Sequence, residues 1–165
     1  MKKIKLTKGQ YTIVDNEDFE LLNKYKWQAG FFNKKDFYAM RSIETRKDKK
    51  RKRISILMHR IILKASKKLN VDHINHDTLD NRKHNLRLAT KVQNGGNRKI
   101  SCSNSSGYKG VSWNTNRQKY LVQIKYKGKS YNLGGFKDKK KAALMYNLYS
   151  KKFFGEYALL NTIRE

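Results

Sequence analysis

Only one cysteine, Cys102, stands among 165 residues, and there is no proline. A single thiol excludes an internal disulfide and any cysteine-rich zinc module. No run of about 18 apolar residues occurs, so no membrane-spanning helix is expected. The opening, Met1-Lys2-Lys3-Ile4-Lys5-Leu6-Thr7-Lys8, is basic with no apolar stretch behind it, so no secretory signal is expected. Acidic residues are scarce: 13 Asp and Glu stand against 39 Lys and Arg, a formal charge of +26. Lys, Asn and Ile abound, and an AT-rich genome would account for part of this and for the missing proline. A wholly disordered basic tail is excluded, because 12% of the residues are aromatic and a tail has no use for them.

The charge speaks to partners more than to fold. A chain this basic repels itself unless a polyanion is near, and nucleic acid is the default polyanion, ahead of an anionic membrane. The excess is spread along the chain: +15 over residues 1–98 and +11 over residues 99–165. Two separately basic halves suggest two surfaces facing one polyanion. At roughly 100–200 residues per domain, the length allows one domain or two small ones.

Residues 1–45 read as strands around one short helix. Tyr11-Thr12-Ile13-Val14 is a strand, and Asp15 or Asn16 can cap a helix carrying Phe19, Leu21 and Leu22. Trp27 to Phe32 and Phe37 to Ile43 resemble a hairpin around Asn33-Lys34-Lys35-Asp36. Residues 46–53 hold seven basic side chains in eight, a solvated hairpin tip suited to phosphate contact. A strand through Ile54, Ile56 and Met58 then leads into a short apolar helix from Ile61 to Lys64. Residues 99–106 have the composition of a linker. Beyond it, Gly110 to Trp113, Tyr120 to Tyr126 and Lys129 to Leu133 read as three strands, the last ended by Gly134-Gly135. A helix follows, capped by Asp138, with Ala142, Ala143, Tyr146, Tyr149 and Phe153 at helical spacing and Gly155 at its end.

Residues 71–98 carry the chemistry. They hold three of the four histidines and the only carboxylates between Asp48 and Asp138. An acidic island in so basic a chain suggests a divalent cation, and hard cations take oxygen ligands: one or two carboxylates, waters and substrate phosphate. In Asp72-His73 the carboxylate offers an anionic oxygen. The imidazole, with a reference pKa near ~6.5, accepts a proton at neutral pH. Asn81, Asn85 and Leu86-Arg87-Leu88 suggest a loop pinned by amide hydrogen bonds that returns as a second strand. Thr90 can cap a short helix bearing Asn94 and Asn97.

Met58-His59-Arg60, Val71-Asp72-His73-Ile74-Asn75, Leu79-Asp80-Asn81-Arg82, Asn85-Leu86-Arg87 and Gln93-Asn94 together resemble the HNH endonucleases of the homing type. The resemblance implies a ββα-metal fold. It implies that His73 is the general base, Asp72 a metal ligand and Asn85 the brace of the loop. The last motif position is His or Asn in that family; Asn94 matches it by spacing, with Asn97 as the alternative second ligand. The implied cofactor is magnesium, or manganese, and the implied products carry 5′-phosphate and 3′-hydroxyl ends. His59, Arg60 and Arg87 are the candidate DNA contacts of this segment.

Ser106 to Trp113, Lys119-Tyr120, Gln123-Ile124, Leu133-Gly134, Phe136, Ala142-Ala143 and Asn161 resemble the Apetala/ethylene-response-factor DNA-binding domain. There a three-stranded sheet enters the major groove with a helix on its back. The matching reading positions are Lys109, Gly110, Ser112, Gln123, Lys125, Ser130 and Asn132; Lys reaches guanine acceptors or phosphate, and Gln pairs with adenine. The expected fold is therefore α+β: a β-rich region over 1–57, an HNH ββα-metal module over 58–98, a linker over 99–106, and a three-stranded antiparallel sheet packed on one helix over 107–162. The expected function is metal-dependent, site-selective cleavage of double-stranded DNA. The alternative is a DNA-binding regulator with an inactive nuclease module. No protein partner and no membrane is expected, and the expected setting is the cytoplasm of a bacterial or phage-infected cell.

Overall fold

The computed structural model describes residues 1–31, 36–47 and 50–163. The expected turn at Asn33-Lys34-Lys35 and the centre of the basic tip, Asp48-Lys49, lie outside the described residues. No helix among the described residues is long and apolar enough to cross a membrane. The chain forms two compact units, residues 1–89 and 90–165.

In the first unit, β1 (Lys2–Lys5) pairs antiparallel with β2 (Tyr11–Val14), placing Ile4 opposite Thr12. Asp15 is the N-cap residue of α1 (Asn16–Asn23), and Glu17 and Asp18 complement the positive end of the helix dipole. The carboxylate of Asp15 does not bond the helix; its Oδ2 accepts the backbone N–H of Lys83 at 2.7 Å. At the other end of α1, Trp27 Nε1 donates to the Leu22 carbonyl at 2.8 Å, which also accepts from Tyr25 N at 3.2 Å. β3 (Gln28–Phe31), β4 (Phe37–Lys47) and β5 (Lys50–Leu57) make an antiparallel sheet with β4 in the middle.

The helix after β5 begins three residues before the expected Ile61. It is α2 (Met58–Ile62), because Met58 and Ile62, four apart, both turn into the core. β6 (Asn70–His73) and β7 (Leu86–Ala89) form an antiparallel pair. One core serves all of this: Ile4, Leu6, Val14, Leu22, Trp27, Ala29, Ala39, Met58, Ile62 and Leu86. At about 1.5–3 kcal/mol for each large apolar side chain buried, the strands before residue 57 and the segment after it stabilise each other. Residues 1–57 are thus packed as part of the body that carries β6 and β7.

The second unit begins with α3 (Lys91–Gly96). Thr90 and Gln93 make a reciprocal capping box: Thr90 Oγ1 accepts from Gln93 N at 3.2 Å, and Gln93 Oε1 accepts from Thr90 N at 2.8 Å. Residues 101–108, part of the expected linker, form a hydrogen-bonded loop in which Asn104 Nδ2 donates to the Tyr108 and Val111 carbonyls. β8 (Val111–Asn114), β9 (Lys119–Tyr126) and β10 (Lys129–Phe136) form an antiparallel sheet with β9 central. β10 does not stop at the glycines as expected. Gly134, at φ +110°, absorbs a bulge, and pairing resumes at Gly135 opposite Leu121.

α4 (Lys139–Phe154) starts at Asp138, whose Oδ1 accepts from Lys140 N at 2.6 Å and from Lys141 N at 3.3 Å. It buries Ala142, Ala143, Tyr146, Ser150 and Phe154. The expected stripe is correct as far as Tyr146, then turns toward Ser150 and Phe154, leaving Phe153 at the edge, stacked on Tyr126 at 4.7 Å.

Candidate active site

β6 ends in Asp72 and His73, with Asp72 opposite Arg87 and His73 opposite Leu86 on β7. Buried amides and carboxylates hold residues 74–85 between the two strands. Asn85 Oδ1 accepts from Asn75 N at 3.0 Å, and its Nδ2 donates to the Asp80 carbonyl at 2.8 Å. Asp80 is 2% exposed and receives both Arg82 Nε and Nη2 at 2.7 Å, together with Asn75 Nδ2 at 3.0 Å. The Arg82 hydrogen bonds keep the Asp80 carboxyl below the usual carboxylate range, against the opposing cost of burial. Asp77 Oδ1 accepts from Leu79 N at 3.0 Å, an Asx turn.

The acidic island therefore divides. Asp77 and Asp80 are spent on shaping the loop, and Asp72 alone sits at the strand end beside His73.

β2 clamps this loop from outside the motif. Ile13 N donates to the Leu79 carbonyl at 2.9 Å, and Asn81 N donates to the Ile13 carbonyl at 2.8 Å. Thr12 Oγ1 also donates to the Leu79 carbonyl, at 2.7 Å, and accepts from Asn81 Nδ2 at 2.7 Å. Asn81 Oδ1 faces His73 Nε2 at 3.2 Å. Sequence reasoning missed Thr12; its only signal was a polar residue on the buried face of an alternating strand.

His73 is 6% exposed, and burial lowers its pKa. The bond to Asn81 and the charges of Asp72, Asp77 and Asp80 pull the other way without overcoming it. The imidazole is therefore neutral at pH 7 and able to accept a proton. Its ring lies 5.1 Å from the His59 ring, edge-on, and 6.1 Å from that of Tyr38. His59 is 5% exposed; burial, with His73 and Arg60 adding, pushes its pKa down to about 3. It is a neutral wall of the site where a DNA contact was expected. Tyr38, also unforeseen, has a phenol pushed up by burial and by Asp36 and Asp72.

Arg60 and Arg87 have partners within the unit. Arg60 donates to the carbonyls of Leu69 at 3.0 Å, Ala65 at 3.4 Å and Ser66 at 2.6 Å, closing the turn after α2. These bonds commit the guanidinium to the carbonyls of that turn, where a DNA contact was expected. Arg87 Nε and Nη2 both reach Asp72 Oδ2, at 2.9 and 2.8 Å.

Among the described residues no group of three or more His, Cys, Asp or Glu side chains is arranged to hold a metal. That excludes a closed site of the structural-zinc kind from the described part. One carboxylate beside a neutral imidazole fits a hard cation that keeps most of its waters. The expected second ligand, Asn94, is half-buried on α3, and Asn97 is buried at the end of that helix. Both belong to the second unit.

In the second unit the register gathers five of the seven expected reading residues. Ser130 lies opposite Lys125, Asn132 opposite Gln123, and Ser112 opposite Leu121. These alternate with Val111, Val122 and Ile124, which face the core, so they occupy the other face of the sheet. Lys109 and Gly110 do not join them. Lys109 Nζ donates to the Gly96 carbonyl at 2.6 Å, and burial pushes its pKa down to about 8. Its backbone is bracketed by Asn161, which accepts from Lys109 N at 2.6 Å and donates to its carbonyl at 3.1 Å. Gly110 sits at φ +73°, and a Cβ there would meet the Tyr146 ring at 2.1 Å. Both are packing residues, a correction to the expected reading set.

A model of the HNH endonuclease family matches residues 57–95, the stretch that holds α2, β6, the pinned loop, β7 and most of α3. An uncharacterized HNH endonuclease of Acanthamoeba polyphaga mimivirus is 30% identical over 162 residues, covering 94% of this chain and 77% of that protein. Protein 3.8 of Escherichia phage T7 is 39% identical over 62 residues, 38% of this chain and 51% of that protein. No solved structure matches.

Proposed function

The chain belongs to the HNH endonuclease family and is a nuclease, and from that premise we propose that it is a metal-dependent, site-selective DNA endonuclease of the homing type. The observation that carries the reading is His73: a buried, neutral imidazole at a strand end, one residue after a carboxylate and within the stretch matched to the family. It takes a proton from the attacking water. Asn85 braces the loop from Asn75 to Asp80, keeping the end of β6 in place.

Asp72, and by motif position Asn94, would hold magnesium, with manganese as a substitute in the ββα-metal arrangement that the motif implies. When bound, the ion supplies Lewis-acid stabilisation of the charge on the phosphate and on the departing 3′-oxygen. Scission leaves 5′-phosphate and 3′-hydroxyl ends. The substrate is double-stranded DNA, drawn by the charge of +26. The address comes from the Apetala/ethylene-response-factor-like sheet, through Ser112, Gln123, Lys125, Ser130 and Asn132.

A second reading, a DNA-binding regulator with an inactive module, draws on the Arg87–Asp72 ion pair, since a guanidinium on that carboxylate competes with a cation. Plasmid scission separates the two. Wild type with magnesium should nick or linearise supercoiled DNA carrying the target. EDTA, His73→Ala and Asp72→Ala should each abolish this while DNA is still retarded on a gel. Retardation without scission, on DNA of the source genome as well, favours the regulator.

A further inference from the structure

The hydrogen bonds that reach His73 from β2 run in one direction only. The Leu79 carbonyl can only accept, so the Thr12 hydroxyl must spend its single proton there. The Thr12 oxygen is then an acceptor toward Asn81, which must present its NH2 group at 2.7 Å. That turns the Asn81 carbonyl toward His73, and a carbonyl accepts only from a protonated nitrogen. Thr12 and Asn81 are 0% and 1% exposed, so no bulk water is at hand to satisfy a reversed amide.

We propose that Thr12 and Asn81 are positioning residues that fix His73 as the Nε2–H tautomer and so make Nδ1 the proton-accepting atom. The role of His73 as base rests on the nuclease reading above; the tautomer does not. An imidazole protonated on Nδ1 would set two acceptors, Nε2 and Asn81 Oδ1, against each other at 3.2 Å. Escape by flipping Asn81 would set its carbonyl against the Thr12 oxygen, whose proton is already committed to Leu79. A residue some sixty positions before the motif thus decides which face of the base is chemically competent. It does so from β2, which the Ile13 bonds to Leu79 and Asn81 hold against the loop.

The test uses the full chain, labelled with nitrogen-15, and a long-range nitrogen–proton spectrum at pH 7.5, with the His73 ring assigned by its loss in His73→Gln. The proposal expects a pyrrole-type Nε2 and a pyridine-type Nδ1 in wild type. Thr12→Val keeps the shape and the strand propensity but removes the hydroxyl. It should blend the two nitrogen signals toward a tautomer mixture and lower kcat for scission about tenfold or more, with KM unchanged. Thr12→Ser should restore both readouts.

A wild-type ring protonated on Nδ1 overturns the proposal, and so does a Thr12→Val protein with unaltered nitrogen signals and unaltered kcat. If Thr12→Val does not fold, the wild-type spectrum and the Thr12→Ser spectrum still decide. If wild type cuts no DNA, the nuclease reading fails, and the tautomer is judged by the spectra alone.

Discussion

The loop between β6 and β7 and the outer face of the second unit's sheet are both rich in polar side chains, and they use them in opposite ways. In the loop, Asn81, Asn85 and Asp80 are almost wholly buried and each makes specific bonds. On the sheet, Ser112, Gln123, Lys125, Ser130 and Asn132 stand exposed, and the strand register aligns them. A reacting group must be held before substrate arrives, so its supports are buried and satisfied. In its proposed role as a reading surface, the sheet would exchange water for base edges, which suits groups that stay wet until they bind.

The comparison predicts unequal damage. His73→Ala and Asp72→Ala should lower scission by about 10²–10⁴-fold, with DNA affinity unchanged within a few-fold, measured by plasmid cleavage beside gel retardation. Equal losses in both assays would merge the two regions into one function. Next in size is the loop itself. Asn85→Ala leaves the Asn75 N–H and the Asp80 carbonyl without their partner. The buried Asp80 carbonyl left unpaired costs about 1–3 kcal/mol, so the urea midpoint should fall clearly. Gln123→Ala on the sheet should leave the midpoint where it is.

These two regions were not equally legible beforehand. Asp72, His73 and Asn85 stand at fixed spacing in a short segment, and local order is what a sequence displays. The Asp138 cap, the Thr90 cap and the three strands of the second sheet are equally local and read correctly. Thr12 and Tyr38 reach His73 from strands 61 and 35 residues away in the chain. Nothing in their neighbours marks them, because long-range packing chose them. The excess charge misled at Lys109 and Arg60. A basic side chain in a +26 protein reads as a phosphate contact, yet carbonyls at the ends of α3 and α2 claimed these two. In the acidic island only Asp72 was assigned as a ligand, and the turn-tying bonds of Asp77 and Asp80 left no mark of their own in the sequence.

Acid separates the regions by a cumulative effect. His59 and His73 both have pKa values below that of an exposed imidazole, His59 at about 3. Between pH 6.5 and 3 the unfolded chain therefore binds protons that the folded one refuses. The stability these histidines contribute is complete above pH 6.5 and is lost as pH falls toward the folded values. The slope is at most about 1.4 kcal/mol per pH unit for each histidine. The urea midpoint should drop on acidification from pH 6.5, and His59→Phe should flatten the drop. A midpoint level from pH 7 to 4.5 would mean that neither imidazole resists protonation. The second sheet carries no histidine and adds nothing to this slope.

The finest division lies inside the second unit, between two lysines that the sequence put on one face. Lys125 is exposed on the outer face of β9, whereas Lys109 is half-buried with its ammonium on the Gly96 carbonyl at 2.6 Å. Lys125→Ala removes a group free to neutralise a phosphate, so the slope of log affinity against log salt should shrink by about one, with thermal stability unchanged. Lys109→Met keeps the aliphatic stem and removes only the charge and the bond, at a cost of about 1 kcal/mol of stability. Its salt slope should match wild type. If both variants lose one unit of salt slope, Lys109 leaves its carbonyl when DNA arrives. The bracket that Asn161 places on its backbone would then serve to aim the side chain as well as to pack it.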